Sequence, residues 1–217
     1  MKLQKPTLPA LFEVPDMEPG LLLSKAAEAE EELENFHIAN AFLPDMDLSG
    51  QRFSGMFFEN CRLPAGLFNR ASFVDVRFKG CDFSNCFFEE AYFNRCEWIS
   101  CKWVGASFEG ASFRQTEIVS SNLQYCNLDH SLWDYARMKD CDLSQAYLSN
   151  CRLKKAELEN CRLVRTSIHR TPLRGMDLTS CELGGLILSE NFSELKGALV
   201  RADQALELSR LLGIVIQ

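Results

Sequence analysis

No run of apolar residues approaches the roughly 20 that a membrane-crossing helix requires, and the mean hydropathy is −0.12. The opening Met1-Lys2-Leu3-Gln4-Lys5-Pro6 lacks the apolar stretch of a secretion signal, so a reducing cytoplasm is the expected location. Basic residues are also in short supply: 23 Lys and Arg stand against 30 Asp and Glu, a net charge of −7. That balance excludes a general affinity for nucleic acid, which depends on cations neutralising phosphates. Histidine is scarce, with only His37, His130 and His169. None sits in an H-E-x-x-H or beside a G-x-S-x-G, and there is no phosphate loop, so neither an enzyme nor a cofactor is expected. Of the ten cysteines no two are spaced C-x-x-C, which removes the usual zinc signature, and no metal is expected.

What is present is a period of five. From Ile38 to Leu188 every fifth residue is large and apolar, 31 successive positions without a frame shift, including Phe53, Phe58, Phe73, Phe93, Trp98, Trp103, Phe113 and Leu143. Roughly a third of residues are large and apolar in ordinary chains, so chance is excluded. Two residues before each centre the side chain is usually small, as at Ala71, Cys81, Ala106 and Ser121. All ten cysteines occupy that small position, as small apolar fillers of a tight core. A period of five matches neither a helix nor an alternating strand. It matches a chain that turns a right angle every five residues, so that four fives close a square coil of 20 and coils stack about 4.8 Å apart.

Stretches such as Ala71-Ser72-Phe73, Cys81-Asp82-Phe83, Ala106-Ser107-Phe108 and Cys141-Asp142-Leu143 resemble the pentapeptide-repeat family. The resemblance implies an all-β fold, a right-handed quadrilateral β-helix, over residues 36–190. Residues 1–35 are expected to cap its start, and residues 191–217 to cap its end with a helix over Asp203–Leu212. The tail Leu188-Ser189-Glu190-Asn191-Phe192-Ser193-Glu194-Leu195-Lys196-Gly197, with Gln204-Ala205 and Leu211-Leu212-Gly213-Ile214-Val215-Ile216, is similar to that of Qnr-type quinolone-resistance proteins. That likeness implies a homodimer joined through Ala205, Leu208, Leu211, Leu212, Ile214 and Ile216. It also implies a rod that imitates duplex DNA and engages DNA gyrase or topoisomerase IV. Qnr members often carry loops implicated in drug protection, and here the unbroken frame leaves no room for them.

Mimicry needs outward acids in rows. Residues 36–145 carry 14 acids and 10 bases, residues 146–190 carry 5 and 7, and residues 1–35 carry 8 and 3. Spacing by 20 aligns Glu89, Glu109 and Asp129 in one outer column with Glu90 beside it, and Glu97 with Glu117 in another. These six are the expected partner-facing residues. Outward Leu67, Phe87 and Tyr147 form an apolar column beside them. The alternative is a cytosolic interaction scaffold with another protein partner, which the near-neutral rod favours.

Overall fold

The structure, a computed structural model, describes residues 3–211 and 213–215. Short strands alternate between two parallel sheets: β1 (Leu33–Glu34), β2 (His37–Ala39), β3 (Arg52–Ser54), β4 (Phe57–Glu59), β5 (Ser72–Val74), β6 (Arg77–Lys79), β7 (Tyr92–Asn94), β8 (Glu97–Ile99), β9 (Ser112–Arg114), β10 (Glu117–Val119), β11 (Leu132–Asp134), β12 (Arg137–Lys139), β13 (Arg152–Lys154) and β14 (Glu157–Glu159). The odd-numbered strands form one seven-stranded sheet and the even-numbered the other. Every pairing joins residues 20 apart, as in Phe73 with Phe93 and Ile118 with Met138. The two remaining faces of the square are held by single bridges such as Arg62 to Asp82 and Leu67 to Phe87. The period of five therefore builds the square solenoid it predicts.

The centres of the fives fill the interior. Phe73, Phe93 and Phe113 lie one above another, their rings 4.9 and 5.2 Å apart and nearly parallel. Those separations match the ladder spacing of about 4.8 Å, so each ring stacks because its backbone pairs. Burying each such ring contributes about 1.5–3 kcal/mol. Trp98 and Trp103 stack at 4.0 Å in the middle of the rod. The cysteines are buried, and most of their thiols donate to carbonyls one coil back, as Cys86 does to Leu63 at 2.7 Å and Cys126 to Trp103 at 2.7 Å.

The corners rest on a backbone feature. The last residue of each five, from Glu30 through Gly175, adopts a positive φ. Asn and Asp tolerate that region best after glycine, and they supply many corners, among them Asn40, Asn60, Asp75 and Asn85. At Gly105 a second requirement appears, because an added Cβ would come within 2.5 Å of the Asn85 side-chain oxygen one coil earlier.

Helix α1 (Pro19–Glu28) closes the start of the stack with Leu23 and Ala26 buried against it. The segment before it departs from the expected cap. Residues 4–13 run along the side of the rod as a strap: the Glu13 amide bonds Asn35 O at 2.9 Å, the Thr7 amide bonds Asp75 at 2.8 Å, and the Gln4 amide bonds Gln115 at 3.0 Å. It thereby spans coils from Asn35 to Gln115.

At the other end residues 194–199 stand in for a further coil. The amides of Leu173, Gly175 and Leu178 donate to the carbonyls of Glu194, Gly197 and Leu199 at 2.8–2.9 Å. Helix α2 (Ala202–Leu211) then folds over the end, and its buried residue is Gln204. The Gln204 side-chain amide donates to Leu178 O at 2.9 Å and Cys181 O at 2.6 Å, satisfying carbonyls that a further coil would otherwise pair.

Candidate interaction surface

A filled interior leaves the outer faces and the two ends as the surfaces available for recognition. The 20-residue register places side chains of successive coils about 4.8 Å apart in vertical columns. Like charges in one column repel, and opposite charges pair. The second arrangement dominates: Arg70 bonds Glu90 at 2.8 Å, Arg77 bonds Glu97 at 2.7 Å, and Arg95 bonds Asp75 at 2.5 Å, each pair one coil apart. Arg137 lies 3.5 Å from Glu117 and also serves Glu157 and Glu159.

Of the six acids expected to face a partner, the structure separates two sets. Glu89, Glu109 and Asp129 have no ion pair among the described residues, and their contacts are polar and neutral. Glu89 accepts from the Ser107 hydroxyl at 3.3 Å, Glu109 from the Asn127 amide at 3.3 Å, and Asp129 from the Ser149 amide at 2.6 Å. Glu90 and Glu117 are exposed or half-buried but matched by arginine. Glu97 overturns the expectation of an open surface: its side chain is only 5% exposed. The physical reason is the strap, which lays Lys5 Nζ 3.1 Å from one Glu97 carboxylate oxygen while Arg77 holds the other. Glu89, Glu109 and Asp129, spaced by 20, thus form a row of acids without an ion pair among the described residues.

The strap's other anchor is Asp75. Burial pushes its carboxyl up, but the Arg95 guanidinium and the Thr7 amide outweigh that and hold it below the ordinary value of 3.8. Neither Lys5 nor Thr7 carries a sequence signal, whereas Asp75–Arg95 and Arg77–Glu97 are opposite charges 20 residues apart and legible from the period.

The tail residues divide as well. Leu208 and Leu211 are half-buried against the rod, while Ala205 and Ile214 are exposed. Leu212 and Ile216 lie outside the described residues. Leu199, Leu206 and Val215 add exposed apolar surface, Val215 at 84%. Among the described residues no cluster of His, Cys, Asp or Glu is arranged to hold a metal, and no helix is long and apolar enough to cross a membrane.

The sequence profile of the pentapeptide repeats, in eight copies, matches residues 71–97, 121–159 and 141–185. No curated protein matches the chain. Among solved structures, trypsin-treated QnrB1, a plasmid-mediated fluoroquinolone resistance protein, is similar at 27% identity and a TM-score of 0.54, over 83% of this chain and 91% of that one. Full-length QnrB1 is similar at 25% identity and a TM-score of 0.51, over 82% and 91% of the two chains.

Proposed function

The chain is a pentapeptide-repeat protein with a Qnr-like solenoid, and from that premise we propose that it is a non-enzymatic, DNA-mimicking partner of a type II topoisomerase, DNA gyrase or topoisomerase IV. The observation that carries this reading is the likeness to a quinolone-resistance protein over most of both chains. The free acid column supports it. A duplex strand presents one charge per about 3.4 Å of axis, and Glu89, Glu109 and Asp129 present one per coil of about 4.8 Å. Rows of carboxylates at that pitch complement basic side chains that otherwise grip phosphates. The paired Glu90 stands beside the column and joins the contact by exchanging its arginine for a cation of the enzyme, whereas Glu117, two corners further along the coil, lies on the opposite face of the square. Two rods join through the apolar tail to give a longer, two-fold symmetric mimic in the cytoplasm.

A supercoiling assay with purified gyrase tests this. Micromolar protein is expected to inhibit supercoiling, and the triple variant Glu89→Lys, Glu109→Lys, Asp129→Lys to lose at least tenfold in potency. Adding a fluoroquinolone to the same assay reads whether the loop-free rod also protects the enzyme. Unchanged potency in the triple variant would remove the column from the contact. A second reading, a scaffold for another protein, is favoured by the arginine pairing of half of the six acids, and absence of any effect on either topoisomerase would select it.

A further inference from the structure

We propose that the solenoid opens, between the coil ending at Asn160 and the coil that follows it, into a docking cleft for an extended, lysine- or arginine-bearing segment of a protein partner. This site lies away from the free acid column and does not depend on which partner that column meets.

Three series of backbone bonds hold the two sheets and the corner between them. Ser72, Tyr92, Ser112, Leu132 and Arg152 each donate to the coil before at 2.8–3.0 Å. Glu97, Glu117, Arg137 and Glu157 do the same at 2.9–3.0 Å. Asp75, Arg95, Gln115 and Tyr135 donate to the coil after at 3.0–3.1 Å. All three series stop at the same place. The next donor in the first is Pro172, which has no N–H, and neither Asp177 nor Lys155 continues the others. No backbone hydrogen bond joins residues 152–159 to residues 172–179 among the described residues. The opposite faces stay closed, with Glu182 bonded to Cys161 O and Ile187 to Thr166 O, each at 2.9 Å. The coil therefore splays on one corner only.

The opening is bracketed by side chains. The Thr171 hydroxyl accepts from the Cys151 amide at 2.9 Å, and the Ser180 hydroxyl accepts from the Asn160 amide at 3.0 Å. Between them lies a cleft of about 660 Å³ lined by Tyr135, Lys155, Ala156, Leu158, Met176 and Asp177, among others. The inward residues there are less covered than elsewhere: Leu158 is 7% and Met176 9% exposed, against 0% for Phe88, Phe93 and Phe108. An apolar floor beside unpaired strand edges is the arrangement that accepts an extended chain, through main-chain hydrogen bonds and alternate side chains.

The choice of a basic, extended occupant rests on charge and on a precedent within the molecule. Glu117, Glu157 and Glu159 share Arg137, and Lys139 adds one cation at Glu159. Asp177 accepts only from the Thr179 amide and hydroxyl and has no ion pair among the described residues. Lys155 lies over the Tyr135 ring, 4.1 Å from its centroid. Residues 146–190 as a whole carry more bases than acids, but of the charged side chains that line the cleft itself three are acids, Glu157, Glu159 and Asp177, against the single base Lys155. Asp177 stands four coils beyond Glu97 in one column, and Lys155 four coils beyond Asp75 in another. Those columns are the ones the strap follows, where an extended segment with a lysine already seats its ammonium on Glu97 and its backbone on Asp75. The cleft continues the same line.

The test uses the full-length protein and three fluorescein-labelled hexapeptides: alternating valine and lysine, alternating valine and glutamate, and the valine–lysine peptide N-methylated at alternate amides. In the free protein the Asp177 and Lys155 amides are expected to exchange with solvent deuterium at least a hundredfold faster than those of Glu157 and Tyr135, and to slow on adding the valine–lysine peptide. By anisotropy that peptide is expected to bind at least tenfold tighter than either of the others. Asp177→Asn, which keeps an acceptor for Thr179, is expected to weaken it at least threefold, and Glu109→Gln to leave it unchanged. Slow exchange at Asp177 and Lys155 in free dilute protein would overturn the proposal, as would equal binding of the N-methylated peptide or sensitivity to Glu109→Gln instead of Asp177→Asn. Protection of Asp177 that rises with protein concentration alone would assign the cleft to a second copy and overturn the choice of partner.

Discussion

A single residue in this rod is never isolated, because its neighbours 20 positions away repeat its environment. Asp75 shows the consequence. It holds Arg95 in the next coil and the amide of Thr7 in the strap, and its ionised form is the one that both contacts favour. A carboxyl whose folded pKa lies below its unfolded value stabilises the fold at pH above the unfolded value, and that contribution is lost as pH falls through the folded one. Asp75→Asn is therefore expected to cost about 1–2 kcal/mol at pH 7, and the difference from the parent to shrink as pH falls through the depressed folded value. Urea midpoints at neutral pH and along an acid series check this. A cost that persists at low pH would mean that Asp75 acts through shape and not charge. The thiols give a second test at this scale. Burial pushes the Cys96 thiol up to about 12, and the other nine cysteines are also buried. No reaction with a disulfide reagent is expected at pH 8 in the native protein, and ten equivalents after unfolding.

At the scale of elements the termini of the stack decide stability, since every coil in the middle is covered by its neighbours. Gln204 is the element-level keystone of the C-terminal end, because one side chain satisfies two carbonyls and accepts from the Arg201 amide at 2.6 Å. Gln204→Ala leaves Cys181 O without its donor, while Leu178 O keeps the Cys181 amide, and is expected to cost about 1–3 kcal/mol, read as a melting temperature lower by about 2–4 °C per kcal/mol. Gln204→Glu is expected to be no better, since a carboxylate cannot donate. The sequence does not single out this residue. Helical spacing marks the apolar arc of α2, but a glutamine in such an arc looks like one more polar residue until the fold brings it over Leu178 and Cys181. Pro172 is the opposite case: its position in the frame of five lies where a backbone donor is needed, so the break was written in the residues from the start. The solenoid, its inward columns and the spacing by 20 of Glu89, Glu109 and Asp129 follow directly from the period; that these three lack ion pairs does not. The strap does not, because nothing in residues 4–13 repeats.

For the whole molecule, the exposed apolar tail sets the expectation of assembly. Leu206, Ile214 and Val215 stand at least half exposed together at one end, and covering them against a second copy removes that surface from water. Sedimentation of the intact protein is expected to give a dimer, and deletion of residues 199–217 a monomer or an aggregating rod. A monomeric intact protein would remove the tail from assembly and leave the solenoid unchanged.

The square cross-section also couples chain length to direction. Because each five advances the chain by one side of the square, losing five residues in mid-rod would keep core and corners intact yet swing everything downstream through a quarter turn. Losing 20 would shorten the rod by one storey with every later side chain still on its original bearing. Sequence length in this protein thus works as an angular dial, and a deletion within the stack between Glu89 and Asp129 would test it by pulling one acid out of line while the others keep their heading.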